Sequence, residues 1–178
     1  MATSSLRSDQ LKTVEQLVAW KAGVKFINYL VGSDDGGKIA RDIYKNFNER
    51  PPSGQSGAAI ASRISPRDLM SYTALATRYV AVRRLGIPQN QAATAVYSCA
   101  TRKTMPPDTG TINRWLGLAR DLEVGNAGIF KCPNCDGNHL WQSGASRLHS
   151  RCLWCNAEIS MPATALKAAQ SSKIFVGR

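Results

Sequence analysis

Acidic side chains are scarce in this 178-residue sequence, which has 12 aspartates and glutamates against 23 lysines and arginines. The acids are also scattered, so the sequence offers no carboxylate cluster of the kind expected in a metal-dependent enzyme acting on nucleic acid. Long apolar runs are missing, and none approaches the roughly 20 residues of a transmembrane helix. The start, residues 1–8, is followed by no apolar segment that would make it a secretory signal. We therefore expect a cytoplasmic protein that does not enter a membrane.

Four of the five cysteines form the most informative pattern. Cys132 and Cys135 make one C-x-x-C pair, Cys152 and Cys155 make another, and sixteen residues separate the pairs. This spacing is typical of a four-cysteine zinc site, because each pair can turn two sulfurs toward one tetrahedral ion. Gly137 and Gly144 are suited to the turns, since glycine adopts positive φ without steric cost. The sequence predicts one structural Zn²⁺ per chain in a zinc ribbon over residues 127–160.

Other roles for the cysteines are less consistent with the sequence. Disulfides are not expected in a chain without a secretory signal, and no βαβ unit accompanies the pairs as it would in a redox motif. His139 and His149 lie inside the ribbon, but four thiolates already close the coordination shell. We expect both histidines on the surface or in polar contacts, for example with a phosphate.

The net charge of +11 is unevenly distributed along the chain. Residues 51–107 hold seven basic residues and one acidic residue, whereas residues 1–50 hold eight and six. A basic excess of this size favours a polyanionic partner, with nucleic acid the first candidate, although a basic surface can also meet an acidic protein.

The part before the ribbon, residues 1–126, is predicted to be a helical body that binds DNA and a partner. Apolar periodicity predicts a helix over 10–31 whose wide apolar coverage suggests a subunit interface. A second helix, opened by Ser33, Asp34 or Asp35 and continuing to about Asn48, has an apolar stripe opposite basic side chains. Further helices are predicted over 65–85, 88–102 and from 109 or 111 to about 124, with Cys99 buried as a small apolar group. A basic tail, 161–178, ends the chain.

The first two helices and their short connection suggest a helix-turn-helix DNA reader, with an ordinary solvated amphipathic helix as the alternative. The connection resembles a phosphate-binding loop, but Ile39 stands where the hydroxyl residue is required, so we reject nucleotide binding there. Candidate DNA-binding residues are the basic side chains of these helices, of the middle of the chain and of the ribbon: Lys38, Arg41, Lys45, Arg63, Arg78, Arg83, Arg84, Arg147 and Arg151.

The overall plan resembles the FlhC family of bacterial flagellar transcriptional activators. The resemblance is carried by the order of three segments: residues 37–45 with the proline-rich turn at 50–54, residues 113–116 leading through 128–130 to Cys132, and the four cysteines. Family membership implies a DNA-binding activator, not an enzyme, which works with an FlhD-like helical protein and recruits RNA polymerase. It implies two copies of this chain in a hetero-oligomer, a bacterial cytoplasmic location, and flagellar or conjugative-transfer promoters as targets.

Two other functions remain as alternatives. One is a zinc-ribbon adaptor that contacts only protein, such as an RNA polymerase-associated factor, and would have no salt-dependent affinity for DNA. The other is a zinc enzyme acting on nucleic acid, although the H-x-E motif of the zinc deaminases is missing from the sequence.

Overall fold

The computed structural model describes residues 6–52, 65–101, 109–142 and 151–159, which contain six helices and one two-stranded sheet. The predicted class, mainly α with a small four-cysteine module after the helices, is confirmed. None of the helices in these ranges has both the length and the apolar character needed to cross a membrane. The elements are α1 (Ser8–Ala19), α2 (Val24–Val31), α3 (Asp34–Asn46), α4 (Pro66–Arg84), α5 (Gln89–Thr101), α6 (Thr109–Glu123), β1 (Ala127–Lys131) and β2 (Asn138–Gln142).

The chain forms two compact units that do not follow chain order. One unit contains residues 1–56 and 88–117, and the other contains residues 57–87 and 118–178. The first unit therefore has α1, α2, α3, α5 and the start of α6, while the second has α4, the end of α6 and both strands. The predicted boundary at residues 126 and 127 does not coincide with this division, because α4 packs with β1 and β2.

The prediction of one helix over 10–31 is wrong, because the chain breaks between α1 and α2. Lys21 has a φ of 60°, and the amide of Ala22 donates to Leu17 at 2.9 Å, which ends α1 in a left-handed turn. The side chain of Asn113 then joins both sides of the break: it accepts from the Gly23 amide at 2.7 Å and donates to the Lys21 carbonyl at 3.3 Å. The apolar periodicity continues across the break, so it did not reveal the turn.

The apolar side chains of α1 and α2 are used inside the first unit. Tyr44 of α3 is fully buried and donates its hydroxyl to the Ala22 carbonyl at 2.9 Å; burial first, then the charge of Glu49, raises its pKa to about 12. The indole of Trp115 donates to the Ala93 carbonyl at 3.0 Å. The buried apolar residues of α1 and α2 are Val14, Leu17, Val18, Phe26, Ile27, Leu30 and Val31. The apolar residues that suggested a subunit interface on this segment are therefore buried within the first unit, so they give no reason to expect one there.

The turn between α2 and α3 is explained by helix packing. Gly32 ends α2 at a φ of 69°, and the Ser33 hydroxyl accepts from the Asp35 amide at 3.2 Å as the N-cap of α3. A Cβ on Gly37 would stand 2.0 Å from the Asn28 side-chain oxygen, so the close contact of α2 and α3 requires glycine there. The glycine at position 37 is therefore explained by helix packing.

The later helices match their predictions closely. Ser65 caps α4 by accepting from the Asp68 amide at 3.1 Å, and Gly86 and Gly125, both at positive φ, follow the ends of α4 and α6. Cys99 is a correction, because it is exposed on α5 rather than buried. The buried side of α5 runs through Ala93, Tyr97 and Ala100, and Cys99 lies just outside this arc.

Candidate metal centre and basic surface

The first C-x-x-C pair forms the turn of the β1–β2 hairpin. Lys131 and Asn138 are the last paired residues of the strands, and the six residues between them make what we call the first knuckle (132–137). The Asp136 amide donates to the Cys132 carbonyl at 3.0 Å, and the Cys132 amide donates to the Gly137 carbonyl at 2.9 Å. These two bonds fold the chain back on itself and bring both sulfurs to one side.

The second pair repeats this turn twenty positions later, in what we call the second knuckle (152–157). Arg151 and Glu158 form a β-bridge around it. The Asn156 amide donates to the Cys152 carbonyl at 3.0 Å, and the Cys152 amide donates to the Ala157 carbonyl at 2.7 Å. The same hydrogen-bond pattern on an independent stretch of chain indicates that both turns serve one geometric purpose.

The four sulfurs converge with the dimensions of a tetrahedral thiolate site. Across the knuckles, Cys132 and Cys155 have sulfurs 3.8 Å apart, Cys135 and Cys152 have sulfurs 3.6 Å apart, and all four lie within 4.8 Å of one another. Sulfurs bound to one zinc ion at about 2.3 Å are roughly 3.8 Å apart at the corners of a tetrahedron. The cluster can therefore hold a metal ion, and its soft sulfur donors fit zinc.

N–H donors favour the thiolate form of one cysteine, Cys155; at Cys135 the Gly137 amide acts in the same direction, but burial and the neighbouring cysteine sulfurs raise the pKa to about 12. The Asn134 side chain donates to the Cys155 sulfur at 3.4 Å, and this contact, followed by the Ala157 amide, lowers the Cys155 pKa to about 6. The amides of Asn134 and Trp154 point at the first sulfur of their own knuckles, at 3.4 and 3.3 Å. Ligands must be deprotonated to bind a metal, so the donors at Cys155 favour the form of this side chain that binds an ion.

The prediction for Gly137 has the right residue and the wrong reason. The positive φ values in the knuckles belong to Asp136 (55°) and Asn156 (58°). Gly137 is required by a close approach, because a Cβ there would stand 2.3 Å from Cδ1 of Trp154. The Trp154 indole lies over the first knuckle and donates to the Asn138 carbonyl at 3.0 Å. Gly144 lies outside the described residues.

His139 makes a polar contact, which was one of the two expectations, but it is buried rather than on the surface. Only 5% of the residue is exposed, its ring stacks on Phe130 at 5.2 Å, and its Nε2 is 3.2 Å from the Cys152 sulfur. Among the described residues, the mutually close ligand atoms are the four sulfurs alone, so the ring belongs next to the cluster rather than in it. His149 lies outside the described residues.

The predicted DNA-binding residues of α3 are exposed and share a face with acids. Lys38, Arg41 and Lys45 are all exposed, as the helical spacing predicts. However, Lys38 pairs with Asp35 at 3.1 Å, and Asp42 is also exposed close to this face. The α3 surface is therefore of mixed sign, which supports the solvated-helix alternative as much as the helix-turn-helix prediction.

Arg83 must be withdrawn from the DNA-binding set. Its residue is only 7% exposed, and its guanidinium makes a two-pronged ion pair with Glu123 at 2.6 and 3.0 Å. The Tyr79 hydroxyl donates to the same carboxylate at 2.6 Å, and the Arg83 hydrogen bond to Glu123 raises its pKa further. This network joins α4 to the end of α6 in the second unit and leaves no guanidinium for a phosphate.

The other candidates divide between exposed and undescribed positions. Arg78 and Arg84 are exposed on α4, and Arg151 is exposed at the base of the second knuckle. Arg63 and Arg147 lie outside the described residues, as does the tail, 161–178. The described part of the ribbon has no basic excess, because Lys131 and Arg151 are balanced by Asp136 and Glu158.

Comparison with known proteins adds no relative. No protein-family model, curated protein or solved structure matches this chain. The candidate site is thus defined by its own geometry, in which four cysteine sulfurs lie close enough together to hold a metal ion.

Proposed function

We propose that this chain is a DNA-binding subunit of a bacterial transcriptional activator, stabilised by one structural zinc ion. The observation that carries the proposal is the convergence of Cys132, Cys135, Cys152 and Cys155, whose order and spacing also carry the resemblance to FlhC. The net charge of +11 supports a polyanionic partner. The FlhD-like partner, RNA polymerase recruitment, two-copy assembly and flagellar or conjugative-transfer promoters rest on the resemblance alone.

Zinc is proposed because the donor set is four thiolates in a closed shell. Tetrahedral sulfur sites hold zinc or iron, and the two differ in colour, since a zinc–thiolate site does not absorb visible light. Metal analysis of the purified chain is expected to give about one zinc per chain without visible absorption. If the analysis finds about one iron per chain instead, the proposed metal is iron rather than zinc, and the structural role of the site is unchanged.

The exposed arginines of α4 are the strongest candidates for DNA contact. Arg67, Arg78 and Arg84 are exposed along this helix, and Asp68 is the only acid among its described residues. On α3, by contrast, acids offset the basic side chains. Phosphate contacts give affinity without sequence information, so we expect α4 to contribute to binding on any duplex.

The test measures binding of the full chain, with the protein that co-purifies with it, to a mixed-sequence duplex at several salt concentrations. Arg84→Ala and Arg78→Ala are each expected to reduce the slope of log affinity against log salt by about one. Lys25→Ala, which removes an exposed positive charge outside the predicted set, serves as the matched control and should leave the slope unchanged. Footprinting of the complex on upstream regions then identifies the operator.

Binding that does not depend on salt, or that is equally strong for all variants, would overturn the proposal for α4. A chain that carries zinc and binds RNA polymerase but not DNA would support the adaptor function instead. The near-neutral charge of the described ribbon is the observation that keeps this alternative in the test.

A further inference from the structure

The two knuckles are internal copies of each other, twenty positions apart. Adding twenty to a position in the first knuckle gives its equivalent in the second, and both cysteines of each pair coincide under this rule. The other equivalent residues are Lys131 and Arg151, Asp136 and Asn156, and Gly137 and Ala157. The chain reverses in the same register in both, since the residue before the first cysteine pairs with the residue seven positions later. Any difference between equivalent positions is therefore informative about the cluster.

The largest chemical difference at a buried position is His139, whose equivalent is Ile159. Both residues are buried, at 5% and 8% exposure, and each follows directly after its knuckle's pairing residue. Ile159 packs in a small core with Cys132 and Cys152. His139 instead places Nε2 3.2 Å from the Cys152 sulfur, which introduces a polar group where the other copy has a hydrocarbon.

This difference makes the environments of the two buried sulfurs unequal. The Cys152 sulfur lies within reach of the Trp154 amide at 3.3 Å, the Cys155 amide at 3.4 Å and His139 at 3.2 Å. The equivalent sulfur of Cys132 receives the Asn134 amide at 3.4 Å. The stacked ring of Phe130, directly opposite His139 in the β1–β2 register, fixes the orientation of the imidazole.

We propose that His139 is a positioning residue that donates its Nε2–H to the metal-bound thiolate of Cys152. A divalent ion with four thiolates has a net charge of −2, and water cannot solvate the share of this charge that lies on a buried sulfur. Hydrogen bonds to coordinated groups orient the ligand and disperse its charge, and losing such a partner costs about 10–100-fold in metal affinity. The inference rests on the proposed function only in that the cluster binds a metal.

The test uses the full chain loaded with Co²⁺ and with Zn²⁺, and compares variants that remove or keep the donor. His139→Ile copies the other knuckle, His139→Phe keeps a ring for stacking on Phe130, and His139→Gln keeps an N–H. We expect the first two to lose about 10–100-fold in metal affinity, measured against a competing chelator, and His139→Gln to lose much less. In the Co²⁺ form, the sulfur-to-metal charge-transfer band of both donor-less variants should move to lower energy, because an unbonded thiolate gives up an electron more easily.

Ile159→Val is the matched control, because it removes packing at the equivalent position without changing a hydrogen bond. It should leave the charge-transfer energy of the Co²⁺ form unchanged. The proposal is overturned if His139→Ile and His139→Phe bind metal like the unaltered chain, or if Ile159→Val shifts the band equally. A change in the ligand-field bands that indicates a lost ligand would also overturn it, since His139 would then be coordinated.

The outcome separates this inference from the proposed function. If the unaltered chain binds Co²⁺ and Zn²⁺ with the expected donor effect but binds no DNA, the role of His139 stands and the activator function fails. If the unaltered chain binds neither ion, the role of His139 fails.

Discussion

The two knuckles follow one backbone path but are held by different surroundings. The first is the turn of a hairpin with five residues in each strand, and both strands pack against α4. Within the described residues the second is closed by one bridge, between Arg151 and Glu158, and its buried neighbour Ile159 packs against Cys132 and Cys152. As far as the chain is described, the first knuckle is supported by a sheet and by α4, whereas the support of the second is the bridge, the packing of Ile159 and the cluster. A metal ion would act as the link that gives the second knuckle its place.

The largest expected effect is the loss of the metal when one ligand is removed. Cys152→Ser should abolish stoichiometric zinc binding and unfold the second knuckle, because binding free energy at a structural zinc site is also folding free energy. Metal analysis and thermal unfolding measure both effects. Cys99→Ser, which removes the exposed cysteine of α5, should change neither zinc content nor unfolding temperature. Full zinc content with unchanged stability in Cys152→Ser would falsify the four-cysteine site.

Metal removal should separate the two knuckles without any mutation. After chelation, amide exchange is expected to increase more at Cys152 and Asn156 than at Cys132 and Asp136, because the sheet that the structure describes flanks the first knuckle. Hydrogen exchange with peptide-level resolution measures this difference. Equal protection of both knuckles in the metal-free chain would show that the second has its own support.

A smaller effect is expected from adding one methyl group to the first knuckle. Gly137→Ala should lower the free energy of unfolding by about 1–3 kcal/mol, because its Cβ would overlap the Trp154 ring and displace it. Ala157→Gly, at the equivalent position, is the matched comparison and should cost about 1 kcal/mol or less. Adding Trp154→Ala to Gly137→Ala should give a combined loss smaller than the sum of the two single losses, since the overlap is then gone. Additive losses in chemical denaturation would exclude this contact.

Local signals explain what the sequence predicted well. Serine caps at Ser33 and Ser65, the glycines after α4 and α6, and the C-x-x-C spacing each act within a few residues of the structure they specify. Such features can be recognised without knowing which segments meet in the fold. The helices from α3 onward and the four candidate metal ligands were predictable for this reason.

The missed features depend on partners that are distant in the sequence. Arg83 looked like a basic surface residue because its carboxylate partner, Glu123, is forty positions away. His139 was expected on the surface or in a polar contact, and the sequence could not name that contact because the sulfur partner belongs to the other knuckle. Aligning the two knuckles was the available signal. It makes His139 equivalent to Ile159, and an apolar residue at the equivalent position predicts that the position is buried.

The turn between α1 and α2 has a consequence for the order in which the chain acquires its structure. Asn113, which holds both sides of that turn, is ninety positions after Gly23. During synthesis at about 5–20 residues per second, the first helices emerge on the order of ten seconds before Asn113 is made. In that interval α3 is already made, so Tyr44 can bond the Ala22 carbonyl and Glu49 can pair with Lys21, but the two hydrogen bonds of Asn113 are still missing. The hydrogen bonds that join both sides of this turn are therefore completed late, when the start of α6 docks beside α1 and α2.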